Sequence, residues 1–344
     1  MTGARPDRVA VTVRDVWRAR ARIRGLARRT PLLSDPVLGP GDGAAGPGAV
    51  QGVWIKDETA QPTGSFKVRG AANALSALDA ARRAAGVVAV STGNHGRAVA
   101  YVARRLGARA DVFVSDRVPN GKLEALRAEG ATVHVGGDSQ DAAEERARSF
   151  ARDRGATLIP PFDHPDVIAG QGTLGLELIE QLPNLATLVV PVSGGGLIAG
   201  TALAVRSAAP DVRIVGASME EGAVMHASLH AGRPLAMPEA ETLADSLQGG
   251  LGADNAYTFA MVRELVDEIV LVSETALAAA MRHAFRVHRR VLEGGGAAAV
   301  AALASGAAQA RGVTVAVASG ANVDAATFAR VLREGGDDGP DRPG

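Results

Sequence analysis

Four loops of this 344-residue chain carry residues whose types and spacing could do chemistry. The first follows the apolar run Val53 to Lys56 and reads Thr63, Gly64, Ser65, Phe66, Lys67, with Lys67 where a helix could begin. A lysine at a helix N-terminus opposes the helix dipole while it is charged. Taken out of water, its pKa falls and the amine becomes a nucleophile of the kind that forms Schiff bases. Alone, such a lysine is an ordinary surface residue, and only its surroundings can make it more. The second loop, Ser193, Gly194, Gly195, Gly196, Leu197, lies between the strand-like Thr187 to Val192 and the helix-like Ile198 to Ala208. Consecutive glycines let backbone N–H groups converge on an anion at a helix start, which is a phosphate cradle. Gly194, Gly196 and Ala199 also satisfy the short dinucleotide fingerprint, a weak pattern by itself.

The third loop, Ser91, Thr92, Gly93, Asn94, His95, Gly96, follows the run Val87 to Val90 and feeds a helix from Arg97 to Leu106. Its hydroxyls and free N–H groups suit a second anion such as a carboxylate, and helix capping by Ser91 or Thr92 explains them equally well. The fourth, Ser319 to Asn322, follows Val313 to Ala318 and could carry Ser319 to a buried ring nitrogen. The histidines suggest no metal. His226 and His230 are four apart without a carboxylate at zinc-site spacing, His283 and His288 are five apart and off one helical face, and His164 precedes Pro165 in a loop. No serine sits in a Gly-x-Ser-x-Gly setting.

The elements that must position these loops alternate: short β-branched runs (Val87 to Val90, Asp111 to Val114, Thr187 to Val192, Arg213 to Ala217, Val313 to Ala318) with longer Ala/Leu/Arg segments of helical period. This pattern predicts an α/β fold with parallel sheets, whose ligands sit at the carboxyl ends of the strands. The length favours two domains: residues 1–80 with 160–335 as a large domain, 81–159 as a small one, and 336–344 as a disordered tail. Trp17, Ile23 and Leu26 can share an apolar face in the Arg-rich run from Arg14 to Arg29, and Gly39 to Gly48 reads as a flexible surface excursion. Lys+Arg and Asp+Glu both number 37, so no global charge draws the chain to nucleic acid or anionic lipid. The absence of cysteine removes disulfides and thiolate sites and fits a reducing, cytoplasmic setting. Neither a signal peptide nor a membrane span is expected.

In their order and separations the four loops resemble the fold-type II pyridoxal-phosphate (PLP) family that includes threonine dehydratase and serine racemase, from about Thr30 to about residue 330. Within it, Ser218 to Ala223, Thr242 to Leu247 and Leu265 to Glu274 are most similar to the hydroxyectoine-utilisation dehydratases. The resemblance implies two domains, each with an open, mostly parallel sheet flanked by helices. It implies that Lys67 holds PLP as a Schiff base and later acts as base at the substrate Cα, with Phe66 against the ring. Asn94 would bond the ring 3-hydroxyl, Ser193, Gly194, Gly195, Gly196 and Leu197 would bind the phosphate, and Ser319 would face the pyridine nitrogen. Ser91, Thr92, Gly93 and His95 would hold the substrate carboxylate.

Two positions depart from the family. Serine racemases carry a serine where this chain has Thr92, whose methyl restricts χ1, so elimination is expected over racemisation, with Thr92 as the group opposite Lys67. The family's divalent-cation site begins with a glutamate where Ser218 stands here; Glu220 or Glu221 could substitute, and no metal is assigned. The implied reaction is β-elimination from a hydroxy amino acid such as L-threonine or L-serine, giving a 2-oxo acid and ammonia. Alternatives are a hydroxyectoine-type substrate, a nicotinamide-dependent oxidoreductase built on the Gly194 fingerprint, and a non-catalytic binder of PLP or amino acids. A homodimer without isoleucine inhibition is also expected.

Overall fold

The chain forms two open sheets, described by a computed structural model over residues 11–39, 50–116, 118–238, 240–252 and 254–334. The strands are β1 (Leu32–Asp35), β2 (Val50–Asp57), β3 (Val87–Val90), β4 (Ala110–Val114), β5 (Thr132–Val135), β6 (Thr157–Leu158), β7 (Leu185–Pro191), β8 (Arg213–Met219), β9 (Glu268–Val272) and β10 (Gly312–Ala318). The larger sheet has the order β1-β2-β10-β7-β8-β9 and the smaller β5-β4-β3-β6. Every pairing is parallel except β1 with β2. The central strands β7, β8 and β10 are buried almost throughout, as expected of parallel strands with helices on both faces, which read as continuous apolar runs.

One face of the larger sheet packs on helices Glu274–His288 and Gly294–Ala304 through Leu277, Met281 and Val300. The other packs on Pro165–Gln181, Gly196–Ala208 and Thr258–Leu265 through Ile168, Leu174, Ile198 and Val262. Small residues let the backbones touch. A Cβ on Gly200 would lie 2.2 Å from the Ile168 carbonyl oxygen, and one on Gly170 would lie 2.5 Å from that of Arg69. The second contact fixes helix Lys67–Ala77 against Pro165–Gln181, and the smaller sheet's core continues onto that same helix through Val68, Ala72 and Leu75.

A buried group of four charges locks the base of the Lys67 helix. Arg69, fully buried, donates to Glu58 (Nε to Oε2 and Nη2 to Oε1, both 2.7 Å) and to Glu177 (Nη1 to Oε1, 2.6 Å), and Lys56 Nζ donates to Glu177 Oε2 at 2.7 Å. Two cations and two carboxylates leave the group neutral, so each charge is compensated where water cannot reach it.

The Arg-rich run forms helix Val13–Arg22, but its buried face differs from the expectation. Val16 and Ala19 point inward with Ile23 and Leu26, whereas Trp17 is 51% exposed, its ring beneath the Arg20 guanidinium at 5.3 Å. Val16 and Ala19 are three apart and share the inward face, which rotates their neighbour Trp17 outward. Residues 40–48 of the glycine-rich stretch and the expected tail 336–344 lie outside the described residues. Among the described residues no helix is long and apolar enough to cross a membrane.

Candidate active site

Parallel strands that end on one side bring their following loops together. The ends of β2 and β10 are adjacent, with Asp57 level with Ala318. From there Phe66 N donates to the Ser319 carbonyl at 3.0 Å, Ala321 N donates to the Gly64 carbonyl at 2.9 Å, and Ser65 bridges Gly320. Gly64 takes φ +72°, a left-handed turn that a side chain would strain. The lysine loop and the Ser319 loop are thus one structure.

Lys67 is the first residue of its helix and half-buried. Its Nζ donates to the Pro161 carbonyl at 2.8 Å and lies 5.2 Å from the Phe66 ring centroid. Removal from water pushes the amine down to about 8, while the Glu293 carboxylate pulls it upward. Pro161 leads into Phe162, whose ring closes over the glycine loop: a Cβ on Gly194 would lie 2.4 Å from it. Gly195, at φ +86°, is the N-cap of helix Gly196–Ala208, and no side chain caps that end. The first-turn N–H groups of Gly196 and Leu197 therefore have no acceptor within the helix. Asp163 fixes the opposite wall, its carboxylate accepting from Tyr257 N at 2.9 Å and Thr258 N at 2.8 Å.

Asn94 begins the helix after β3. Its Nδ2 donates to Glu293 Oε1 at 2.6 Å and its Oδ1 accepts from Asn322, whose Nδ2 also donates to the Thr63 carbonyl at 2.9 Å. The His95 ring is buried, with Nε2 2.8 Å from the Ile159 carbonyl oxygen. Burial, and then the Lys67 charge, push His95 down to about 3, so the ring is neutral and donates from Nε2. What His95 offers the loop is its backbone N–H. Ser91, Thr92 and Gly93 are half-buried, Ser91 Oγ accepts from Gly93 N at 3.2 Å, and the space a Gly93 Cβ would enter is open.

Sequence reasoning missed Glu293, and it placed Asn322 in the fourth loop without giving it a role. Glu293, 4% exposed, stands at the N-cap position of helix Gly294–Ala304 without a side-chain capping bond; burial pushes its carboxyl up to about 7, Asp245 adds to the rise, and the Asn94 and Ser246 hydrogen bonds oppose it. Its signal was present as an acid before three glycines, but that pattern also reads as an ordinary cap. A further miss lies away from these loops. His283 and His288, separated on the helical wheel, both place Nε2 on Asp35 Oδ2, at 2.6 and 2.8 Å. Ser218, where the family carries a cation-binding glutamate, is buried on β8, and Glu220 and Glu221 are exposed.

A half-buried amine of lowered pKa, a capless glycine turn and two polar strand-end loops could together hold an anionic cofactor through a lysine. The buried hydroxyls of Thr63 and Ser65 have no protein partner, so the loop beside Lys67 holds polar capacity that the fold does not use. These residues fit pyridoxal phosphate. Residues 23–326 match the family described as "Pyridoxal-phosphate dependent enzyme", and the chain belongs to it. It is a fold-type II PLP enzyme. It is similar to a Sinorhizobium fredii protein provisionally named a threonine dehydratase, at 46% identity over 94% of this chain and 95% of the relative. It is also similar to an L-threo-3-hydroxyaspartate ammonia-lyase of a Pseudomonas species, at 40% identity over 93% and 98%. Among solved structures, maize serine racemase superposes with a TM-score of 0.85 at 33% identity, covering 94% of this chain and 98% of that one. The dinucleotide reading of Gly194 to Ala199 does not hold: the glycine turn belongs to a PLP fold, and buried Ser218 lies on the strand whose end would need the ribose-binding acid.

Proposed function

We propose that the protein eliminates the β-hydroxyl of a hydroxy amino acid, L-threonine or L-serine in the first instance, and releases a 2-oxo acid and ammonia. The observation that carries this reading is the Lys67 amine, pushed down to about 8 and held by the Pro161 carbonyl immediately before the residue that covers the glycine turn. The names of the relatives, threonine dehydratase and ammonia-lyase, support the reaction class.

When bound, pyridoxal phosphate supplies the electron sink that allows the Cα–H bond to ionise and the β-substituent to leave. The N–H groups from Ser193 to Leu197 would hold its phosphate, Asn94 its ring hydroxyl and Ser319 its ring nitrogen. Lys67, with an appreciable neutral fraction near pH 8, is the base that takes the Cα proton. The hydroxyls and N–H groups of Ser91, Thr92, Gly93 and the His95 backbone receive the substrate carboxylate at the start of a helix. Ser319 offers a neutral hydroxyl where a carboxylate would strengthen the electron sink, and this favours elimination over deeper carbanion chemistry.

Borohydride reduction of the coloured holoenzyme followed by peptide mapping should fix the cofactor on Lys67; a protein that retains cofactor with Lys67 unlabelled overturns the assignment. A panel of threonine, serine, 3-hydroxyaspartate and hydroxyectoine, with 2-oxo acid as readout, separates the substrates, and silence across the panel favours a non-catalytic binder. We also infer a cytoplasmic homodimer, on the strength of the family resemblance and the cysteine-free composition. Light scattering of the purified holoenzyme tests the dimer.

A further inference from the structure

Far from the glycine turn in sequence, three side chains converge on one point. Asp35, at the end of edge strand β1, is 2% exposed, and its Oδ1 accepts from the backbone N–H groups of Val37 at 3.0 Å and Leu38 at 2.9 Å. That turn aims Oδ2 at His283 Nε2, 2.6 Å away, and His288 Nε2, 2.8 Å away. The three ligand atoms all lie within 4.8 Å of one another. His288 is the last residue of its helix and is followed by Arg289 at φ +56°, the one non-glycine among the described residues in the left-handed region. A left-handed C-cap of this kind is usually glycine. Here it turns the chain so that His288 and Arg290 line the same small cavity, beside His283, Asp57, Leu33 and Ile55. Arg290 Nε is matched there by Asp57 Oδ2 at 2.7 Å, so the guanidinium does not stand as an unpaired charge beside the cluster.

We propose that Asp35, His283 and His288 form a zinc site beside this cavity, with the fourth coordination position taken by water. Two imidazoles and a carboxylate are a recognised zinc ligand set, and a site with three protein ligands keeps a place for water. Without metal, both Nε2 atoms meet the one oxygen Asp35 Oδ2, a contact that an Nε2–H on each ring satisfies. With metal, each ring carries its proton on Nδ1 and the Nε2 lone pair faces the ion. Tetrahedral ligand atoms at zinc bond lengths stand about 3.3 Å apart, so each imidazole nitrogen must draw back from Asp35 Oδ2 by roughly half an ångström, a shift that small side-chain rotations supply. The bound ion would tie the edge strand to the turn that runs from His288 to Glu293, five residues on. It acts as a structural clamp behind the catalytic loops and takes no part in the elimination.

The test uses the holoenzyme after chelation, with zinc added by equilibrium dialysis. The half-buried His226 and exposed His230, with ring centroids 4.3 Å apart, are the competing adventitious pair. The expected result is one zinc per chain, retained in H226Q/H230Q and weakened about tenfold or more in H283Q and in H288Q. Zinc should raise the melting temperature of the wild type and leave that of H283Q unchanged. Should either variant fail to fold, X-ray absorption at the zinc edge of the wild type reads the shell directly: two imidazoles with a carboxylate oxygen from protein support the site. Less than stoichiometric binding, binding lost in H226Q/H230Q, or a shell without the carboxylate overturns it. Because the readout is binding, the outcome does not depend on turnover.

Discussion

Asn94 and Glu293, 199 residues apart, join the two sheets through one hydrogen bond of 2.6 Å, Nδ2 to Oε1. That bond favours the ionised carboxyl, yet burial and Asp245 win and push Glu293 up to about 7 from the ordinary 4.5. Between those two values the folded chain holds a proton that the unfolded chain has lost. The stabilising contribution is therefore full below the unfolded value and is lost as pH rises through about 7. His95, pushed down to about 3, works in the opposite sense: its contribution is lost as pH falls through its own window. The difference between wild type and Glu293→Gln isolates the carboxyl. In the protein freed of cofactor, the variant should gain relative to wild type between about pH 5 and about pH 8, by about 3 kcal/mol at most. Urea midpoints at the two pH values measure it, and a difference that does not change with pH would show that Glu293 does not titrate as argued.

Gly194 tests the phosphate cradle through its packing. A methyl group there would overlap the Phe162 ring, 2.4 Å from the nearest ring atom, so Gly194→Ala must displace either the loop or the ring. The expected outcome is cofactor affinity reduced by about tenfold or more, since a shifted loop misdirects several N–H groups together. Shortening the obstacle in Gly194→Ala/Phe162→Ala should restore most of the loss. Titration of the apoenzyme followed by absorbance distinguishes this from a backbone requirement at Gly194, which the second substitution would not relieve.

Arg69 stands two residues from Lys67 and is the hub of the buried charges. Arg69→Met leaves Glu58, which is fully buried, with its Arg69 bonds gone. Breaking such a group from one side costs about 3–5 kcal/mol, whereas removing the surface pair Arg20 and Glu180 should cost about 1 kcal/mol or less. Chemical denaturation of both variants gives the comparison. Equal losses would mean that water reaches the Arg69 cluster.

The central strands of the larger sheet were legible because parallel strands buried on both faces read as unbroken β-branched runs. Arg213 to Ala217 and Val313 to Ala318 fall within β8 and β10, and the run Thr187 to Val192 overlaps β7 up to Pro191. Thr132–Val135 and Thr157–Leu158 were not legible. The first is an edge strand with mixed burial and the second is two residues long, so neither has a period to detect. The candidate site was legible where a loop's own residues shape it, as at the glycine turn Gly194 to Gly196 or beside Lys67. It was hidden where side chains far apart in sequence meet. Asn94 with Glu293, and Asp35 with His283 and His288, are set by sheet order, which residue periodicity does not report.

Thr92 bears on the choice between elimination and racemisation. It is half-buried in the loop after β3, immediately before Gly93, whose missing side chain leaves open space. If its hydroxyl serves the face opposite Lys67, its methyl limits the rotamers from which a proton can be delivered. A rotamer penalty on the order of 1 kcal/mol corresponds to roughly fivefold in rate. Thr92→Ser should therefore raise the ratio of racemised to eliminated serine about fivefold, while Thr92→Val, which keeps the shape and removes the proton, should abolish racemisation and retain cofactor binding. Chiral chromatography of residual serine alongside 2-oxo acid release gives the ratio. An unchanged ratio in Thr92→Ser, with racemisation persisting in Thr92→Val, would place the second proton donor elsewhere.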